Sequence, residues 1–294
     1  MIGLCMLYAT CLASATPNAQ EAPPGKALVS AGVTTVSVGD YRVTFAEDSA
    51  WTLREAWYKE RPLLLKTGWQ QTVINVQVPN GQEPWIGTGH GKERVESVEL
   101  CVDGESHPLA ERLALSGPAF TLSKHSRLGP YAHVSNVTVD AAGITEAFQY
   151  EVVEDASAVR FMYVFMHCFS NDTRDWIACL NDGSEVGGTF LDDNSFSLHE
   201  VVRWIAVYEP ANEWAALYVY PEPYDANGAK ANMFWNRPRD NKLYFQILPE
   251  KKLGKMFDYT VRLQAHTAPE ADWKTAAKKA AEALARAYAR PRTP

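Results

Sequence analysis

The sequence predicts an all-β protein closed by a single C-terminal helix. Three observations carry that prediction. From Ala27 to Gln264 apolar and polar residues alternate with period two, the mark of strands with one buried face. Turn signals, among them Asp103-Gly104, Asp182-Gly183, Asn227-Gly228 and the stretch Asp140–Gly143, separate the runs. Only Pro269–Tyr288 is rich in strong helix formers, with Trp273, Ala277, Ala280, Leu284 and Tyr288 recurring at three and four.

In chain order, half-buried strands are expected at Val33–Val38, Tyr41–Phe45, Thr72–Val78, Val95–Val102, Val134–Val139 and Ile144–Val152. They continue at Val159–Phe165, Val201–Tyr208, Ala215–Tyr220, Lys242–Leu248 and Asp258–Gln264. More than ten strands without interleaved helices give a sandwich or barrel. The lack of a repeat at fixed period argues against a propeller or β-helix. One β domain is expected at 27–268, with the helix at 269–290 docked on it.

Met1–Ala15 is apolar and ends in Ala13-Ser14-Ala15, a small-x-small cleavage pattern. A secretory signal peptide is expected at 1–15, then a Pro/Gly-rich tether at 16–26, and with them a secreted or periplasmic location. No later stretch reaches the ~18 apolar residues of a membrane span. Over 294 residues the net charge is −7 and no basic stripe exists to neutralise phosphates, which argues against a nucleic-acid partner. Beyond the leader the cysteines are Cys101, Cys168 and Cys179, with no C-x-x-C pair. That is too few for a disulfide scaffold; the alternatives are a Cys168–Cys179 pair in an oxidising compartment or three buried thiols. Leu191-Asp-Asp-Asn194 is acidic but lacks the spaced pattern of a calcium loop, so a plain turn is expected and no metal or cofactor is assigned.

The most informative stretch is Trp85-Ile-Gly-Thr-Gly-His-Gly-Lys-Glu-Arg94. Glycines at 87, 89 and 91 allow positive φ or close approach to a ligand. Trp85 supplies an apolar platform beside two titratable groups, His90 and Glu93. Asn232–Arg239 places Trp235 next to Arg237, a stacking ring beside a cation, and Arg203 lies near a strand entry. In Lys124–His133, Tyr131 and His133 are two apart and face one side if extended. His167 ends a strand.

The order of these segments resembles the galactose-mutarotase superfamily. The features that carry it are the early strands leading into Glu55-Ala-Trp-Tyr58, the Gly/His loop, Leu198–Tyr208, and Leu243–Pro249 followed by Lys255–His266. The resemblance implies a large antiparallel β-supersandwich that handles carbohydrate on a concave sheet face. It further implies two histidines from the middle of the chain and a glutamate on a late strand, one carboxylate and one imidazole exchanging protons with the sugar. His90, His133 and His167, assisted by Tyr131, are the expected catalytic groups. Trp85, Glu93, Arg203, Trp235, Arg237 and Gln246 are expected to bind substrate. Gln246 stands where the late glutamate would fall. Three functions follow: mutarotase-like proton transfer, lyase action on a uronic-acid glycan using Tyr131 and His133, or sugar binding without catalysis.

Overall fold

The computed structural model describes residues 24–66, 70–80, 82–109, 112–221, 232–247 and 256–288. The expected leader at 1–15, the tether up to residue 23 and the last two residues of the expected helix lie outside them. The chain forms β1 (Gly25–Ser30), β2 (Val33–Val38), β3 (Tyr41–Ala46), β4 (Thr52–Tyr58), β5 (Arg61–Leu64), β6 (Val73–Val76), β7 (Trp85–Gly87) and β8 (Glu93–Val102). Then come β9 (Glu105–Pro108), β10 (Arg112–Gly117), β11 (Ala119–Leu128), β12 (Tyr131–Asp140), β13 (Gly143–Val152), β14 (Val159–Phe169) and β15 (Asp175–Leu180). The series closes with β16 (Glu185–Thr189), β17 (Phe196–Glu200), β18 (Val202–Glu209), β19 (Trp214–Val219), β20 (Asn232–Trp235), β21 (Asn241–Ile247), β22 (Met256–Thr267) and the helix α1 (Trp273–Tyr288).

The strands sort into three antiparallel sheets. A ten-stranded sheet runs β16-β15-β18-β19-β22-β13-β12-β11-β8-β9. An N-terminal six-stranded sheet runs β10-β1-β2-β3-β4-β5, and a second, the β14 sheet, runs β17-β20-β21-β14-β6-β7. The two smaller sheets meet where Leu65 N–H donates to the Cys168 carbonyl at 3.0 Å. Both face the large sheet across one hydrophobic core. On the N-terminal side the Tyr41 hydroxyl donates to the Ala265 carbonyl and accepts from the Ala265 amide, at 3.1 and 2.7 Å. The predicted all-β sandwich with one C-terminal helix is therefore the architecture found.

Alternation built these layers. On β12 Tyr131, His133, Ser135, Val137 and Val139 are buried while their neighbours are half-buried. The β11–β12 turn needs Gly129 at φ +57°, where a Cβ would stand 2.8 Å from Ile74 Cδ1. The run Leu198–Tyr208 is not one strand: Leu198 takes φ 55°, and the chain leaves the β14 sheet at β17 to enter the large sheet at β18. Of the two alternatives for Cys168 and Cys179, the disulfide is not formed: they stand on different sheets, on β14 and β15.

The helix covers the back of the large sheet. Trp273, Ala277 and Ala281 close on Trp204, Ala206, Tyr208, Ala215, Leu217 and Val219 of β18 and β19. Trp273 lies parallel to Tyr208, ring centroids 5.0 Å apart at 3°. Trp273→Ala removes that ring and leaves a cavity, and should cost about 3–5 kcal/mol in urea-induced unfolding. A change below about 1 kcal/mol, within the range of ordinary surface substitutions, would show that the helix contributes little to the domain.

Candidate functional site

The Gly-punctuated loop is a compact device for holding His90. All three glycines take positive φ, at 116°, 78° and 68° for Gly87, Gly89 and Gly91. At Gly87 a Cβ would stand 2.6 Å from the Thr72 carbonyl oxygen, so no larger residue fits without displacing β6. Backbone bonds from Gly87 N–H to Gly91 O, His90 N–H to Gly87 O and Thr88 N–H to Thr72 O close the loop at 2.9 to 3.1 Å. The imidazole of His90 stacks on Trp85, centroids 5.6 Å apart at 23°. Burial holds it below the usual histidine range; Glu83, with Oε1 3.8 Å from Nδ1, opposes this, and the charges of Lys242 and Lys92 reinforce it. His90 is therefore neutral near pH 7.

Trp85 belongs to a row of rings on the outward side of the β14 sheet. The inward side of β14 sends Met162, Phe165, His167 and Phe169 into the core. A bulge between Tyr163 and Phe165 leaves Phe161, Tyr163 and Met166 on the other side. Register then fixes their neighbours: Asn75 pairs with both Phe161 and Trp85, Tyr244 with Met166 and Met233, and Lys242 with Cys168 and Trp235. Trp85 stacks on Tyr163 at 5.8 Å, Tyr163 meets Tyr244 at 4.6 Å, Tyr244 meets Trp235 at 6.3 Å, and Trp235 stacks on Phe196 at 5.5 Å. The Arg237 guanidinium lies 4.5 Å from the Trp235 ring centre, with its Nε 3.1 Å from Asp240 Oδ1. Val73, Met166, Met233 and Tyr244 are buried beneath half-buried Trp85, Tyr163 and Trp235.

The other predicted groups face the interior. Tyr131 and His133 do share one side, as their spacing requires, and it is the inner one. Glu93 accepts from Lys124 Nζ and the Ser126 hydroxyl, both at 2.7 Å, and the Lys124 ammonium also donates to the Ala50 carbonyl at 3.0 Å. Ser126 Oγ lies 3.3 Å from His133 Nδ1. With its proton given to Glu93, Ser126 can only accept there, so Nδ1 carries the proton and Nε2 has no partner among the described residues. Burial pushes Glu93 up, yet His133 and the Lys124 charge outweigh it and hold the carboxyl at about 2. His133 stacks on Tyr150 at 4.7 Å, whose hydroxyl is 2.6 Å from Thr72 Oγ1. A second interior cluster joins His167 Nε2 to Glu146 Oε1 at 2.6 Å, His167 Nδ1 to the Tyr218 hydroxyl at 3.0 Å, and Gln71 Nε2 to Glu146 Oε2 at 3.0 Å.

The structure thus brings together Trp85, His90, Trp235 and Arg237, and separates them from Tyr131, His133, His167 and Glu93. Gln246 pairs with Tyr163 through its backbone; its side chain lies outside the described residues. Arg203 is exposed on β18 of the large sheet and donates to the Asn181 carbonyl at 2.6 Å, away from the rings. Sequence reasoning missed half-buried Phe161 and Tyr163 on this face, and Asn75, Lys242 and Tyr244 buried among its rings. The available signal was the spacing of two in Phe161-x-Tyr163 and Lys242-x-Tyr244, which puts each pair on one face. A cleft of about 670 Å³ lies elsewhere, between the start of α1 and β16. Of its lining charges, Arg174 pairs with Asp175 and Glu270, and Glu185 with Lys278 beside the cleft.

No protein-family model matches the chain, and no characterised protein matches it by sequence. Solved structures do. An alpha-N-acetylgalactosaminidase, NagBb from Bifidobacterium bifidum, matches at a TM-score of 0.55 and 10% identity, over 88% of this chain and 40% of that one. The chain therefore spans about two fifths of NagBb's length. A putative aldose 1-epimerase from Escherichia coli K12 matches at 0.44 and 10% identity, over 83% of this chain and 100% of that one. A galactose mutarotase-like protein from Lactobacillus casei ATCC 334 matches at 0.47 and 11%, over 80% and 100%. The NagBb match, at 10% identity, is a likeness of fold.

The Glu93 cluster makes stability depend on acidity. The folded carboxyl sits at about 2, below its unfolded value of about 4.3, so the stabilisation is complete above the unfolded value and is lost as pH falls between them. Urea midpoints should fall over that window in the wild type and fall less in Glu93→Gln. Near neutral pH the variant, which strands Lys124, should lose roughly 3–5 kcal/mol. Parallel pH profiles for the two proteins would show that Glu93 is not held low.

Proposed function

We propose that the outward face of the β14 sheet binds carbohydrate. The observation that carries this reading is the continuous row of rings Trp85, Tyr163, Tyr244, Trp235 and Phe196 across that sheet. A strand face turned away from the core is ordinarily polar, and a contiguous apolar strip bordered by polar groups is the usual mark of a binding surface. Sugar rings suit this strip, because their C–H faces stack on aromatics while their hydroxyls require placed donors and acceptors. The neutral imidazole of His90 and the Arg237 guanidinium supply those at its borders. The fold likeness to NagBb, a protein named for action on an N-acetylgalactosaminide, supports the same class of ligand. Export, expected from Met1–Ala15, fits a ligand met outside the cell.

A second reading adds proton transfer in the manner of a mutarotase. It rests on His90, neutral and therefore able to take a proton from a sugar hydroxyl. A partner acid is harder to assign: Asp240 is engaged by Arg237, and Glu83 receives the Trp85 amide at 3.1 Å. Tyr131, His133 and His167, each at most 2% exposed, serve in this reading to join the layers. The lyase alternative, which depends on Tyr131 and His133, has no support from their placement.

Binding of a soluble glycan panel to the full chain, followed by tryptophan fluorescence, tests the first reading. Trp85→Ala and Trp235→Ala should each weaken the best ligand about three- to tenfold, the worth of one aromatic stack, while the unfolding temperature stays within a few degrees. A panel without a single binder sinks the reading. For the second, polarimetry should show faster equilibration of α-glucose or α-galactose by the wild type and none by His90→Ala; equal rates would leave binding alone.

A further inference from the structure

We propose that Lys242 makes this face select saccharides that carry an anionic oxygen group, a carboxylate or a sulfate ester. The proposal rests on the sugar-binding reading above. Lys242 lies on β21, between Trp235 of β20 and Cys168 of β14. Its neighbours Leu243 and Phe245 enter the core, so alternation turns Lys242 with Tyr244 onto the row of rings. It is only 4% exposed.

A buried ammonium needs an anion or a full set of acceptors, because removal from water penalises an unpaired charge heavily. The protein meets this demand elsewhere. Lys124, 1% exposed, has Glu93 at 2.7 Å and a carbonyl at 3.0 Å. Arg262, 6% exposed, has Asp140 at 2.6 Å and the Thr145 hydroxyl. Lys242 is the remaining buried cation among the described residues, and none of their carboxylates comes within 4.0 Å of it. What it has is the Tyr244 ring, with the centroid 6.0 Å from Nζ, at the outer limit of a cation–π contact.

The nearest candidate carboxylate in sequence is already engaged. Asp240 lies 3.1 Å from Arg237 Nε and 3.7 Å from Arg239. The Lys242 charge adds to the lowering of His90 that burial begins. A saccharide stacked on Trp235 and bearing a negative oxygen would give the ammonium the partner that Glu93 gives Lys124. Charge-assisted hydrogen bonds of that kind are roughly twice as strong as neutral ones.

The test uses matched ligands with the full chain. Titration calorimetry compares oligogalacturonate with its methyl ester, and a sulfated galactan oligosaccharide with its desulfated form. The wild type should prefer the charged member of at least one pair by about tenfold or more, and added salt should reduce that preference. Lys242→Met should bring the ratio of charged to neutral affinity close to one, whereas Lys242→Arg should retain most of it. Preference within the first pair alone identifies a carboxylate, and within the second alone a sulfate. Neutral members bound as tightly as charged ones overturn the anion subsite and leave the sugar-binding reading standing. No binding in either pair overturns the anion subsite, while the sugar-binding reading stands or falls with the glycan panel. If Lys242→Met does not fold, the wild-type ratio and its salt dependence still decide.

Discussion

The fold depends on a polar clasp in the middle of its core. Glu146 of the large sheet holds His167 of β14 and Gln71 beside β6, and the hydroxyl of Tyr218 closes the other side of the imidazole. Each of these groups is taken from water, so each requires its partner. The clasp fixes which side of β14 looks inward. Once His167 and Phe165 are committed to the interior, the bulge beside Tyr163 and the pleat beyond it send Phe161, Tyr163 and Met166 to the opposite face. The surface aromatic row is in that sense a consequence of what is buried beneath it.

The second polar cluster does the same for the β8–β11–β12 side of the large sheet. Glu93, Lys124, Ser126 and His133 form one connected group, extended by the stack of His133 on Tyr150 and by the bond from Tyr150 to Thr72. Such clusters are less forgiving than apolar packing, because removal of one member strands the others. Residues 71–73 touch both worlds. Gln71 and Thr72 bond inward to Glu146 and Tyr150, while Val73 lies under the outer rings.

Much of this was legible in the chain. Alternation located most of the strands and the spacing of Trp273, Ala277 and Ala280 located the helix and its buried face. Positive φ at Gly87, Gly89 and Gly91 was likewise implied by residue type. What alternation conveys, however, is relative phase. It put Tyr131 and His133 on one side without saying whether that side meets water, and the answer was the interior. Nor can period two divide strands among sheets, which is why the crossing between β17 and β18 and the placement of Cys168 and Cys179 on different sheets emerged only in three dimensions. Phe161, Tyr163 and Tyr244 resemble core residues by composition; only the bulge and the register show them facing out.

Gly87 adds a mechanical consequence. The loop that presents His90 is bonded through Thr88 to the Thr72 carbonyl, and Gly87 sits so close to that oxygen that the two cannot slide past each other. Thr72 is itself anchored to Tyr150 and to the Val164 carbonyl, at 2.6 and 2.8 Å. The imidazole therefore rides on the rigid interior instead of on a hinge. A ligand arriving beside it would meet a surface already in its final shape and would spend little of its binding energy on ordering the loop.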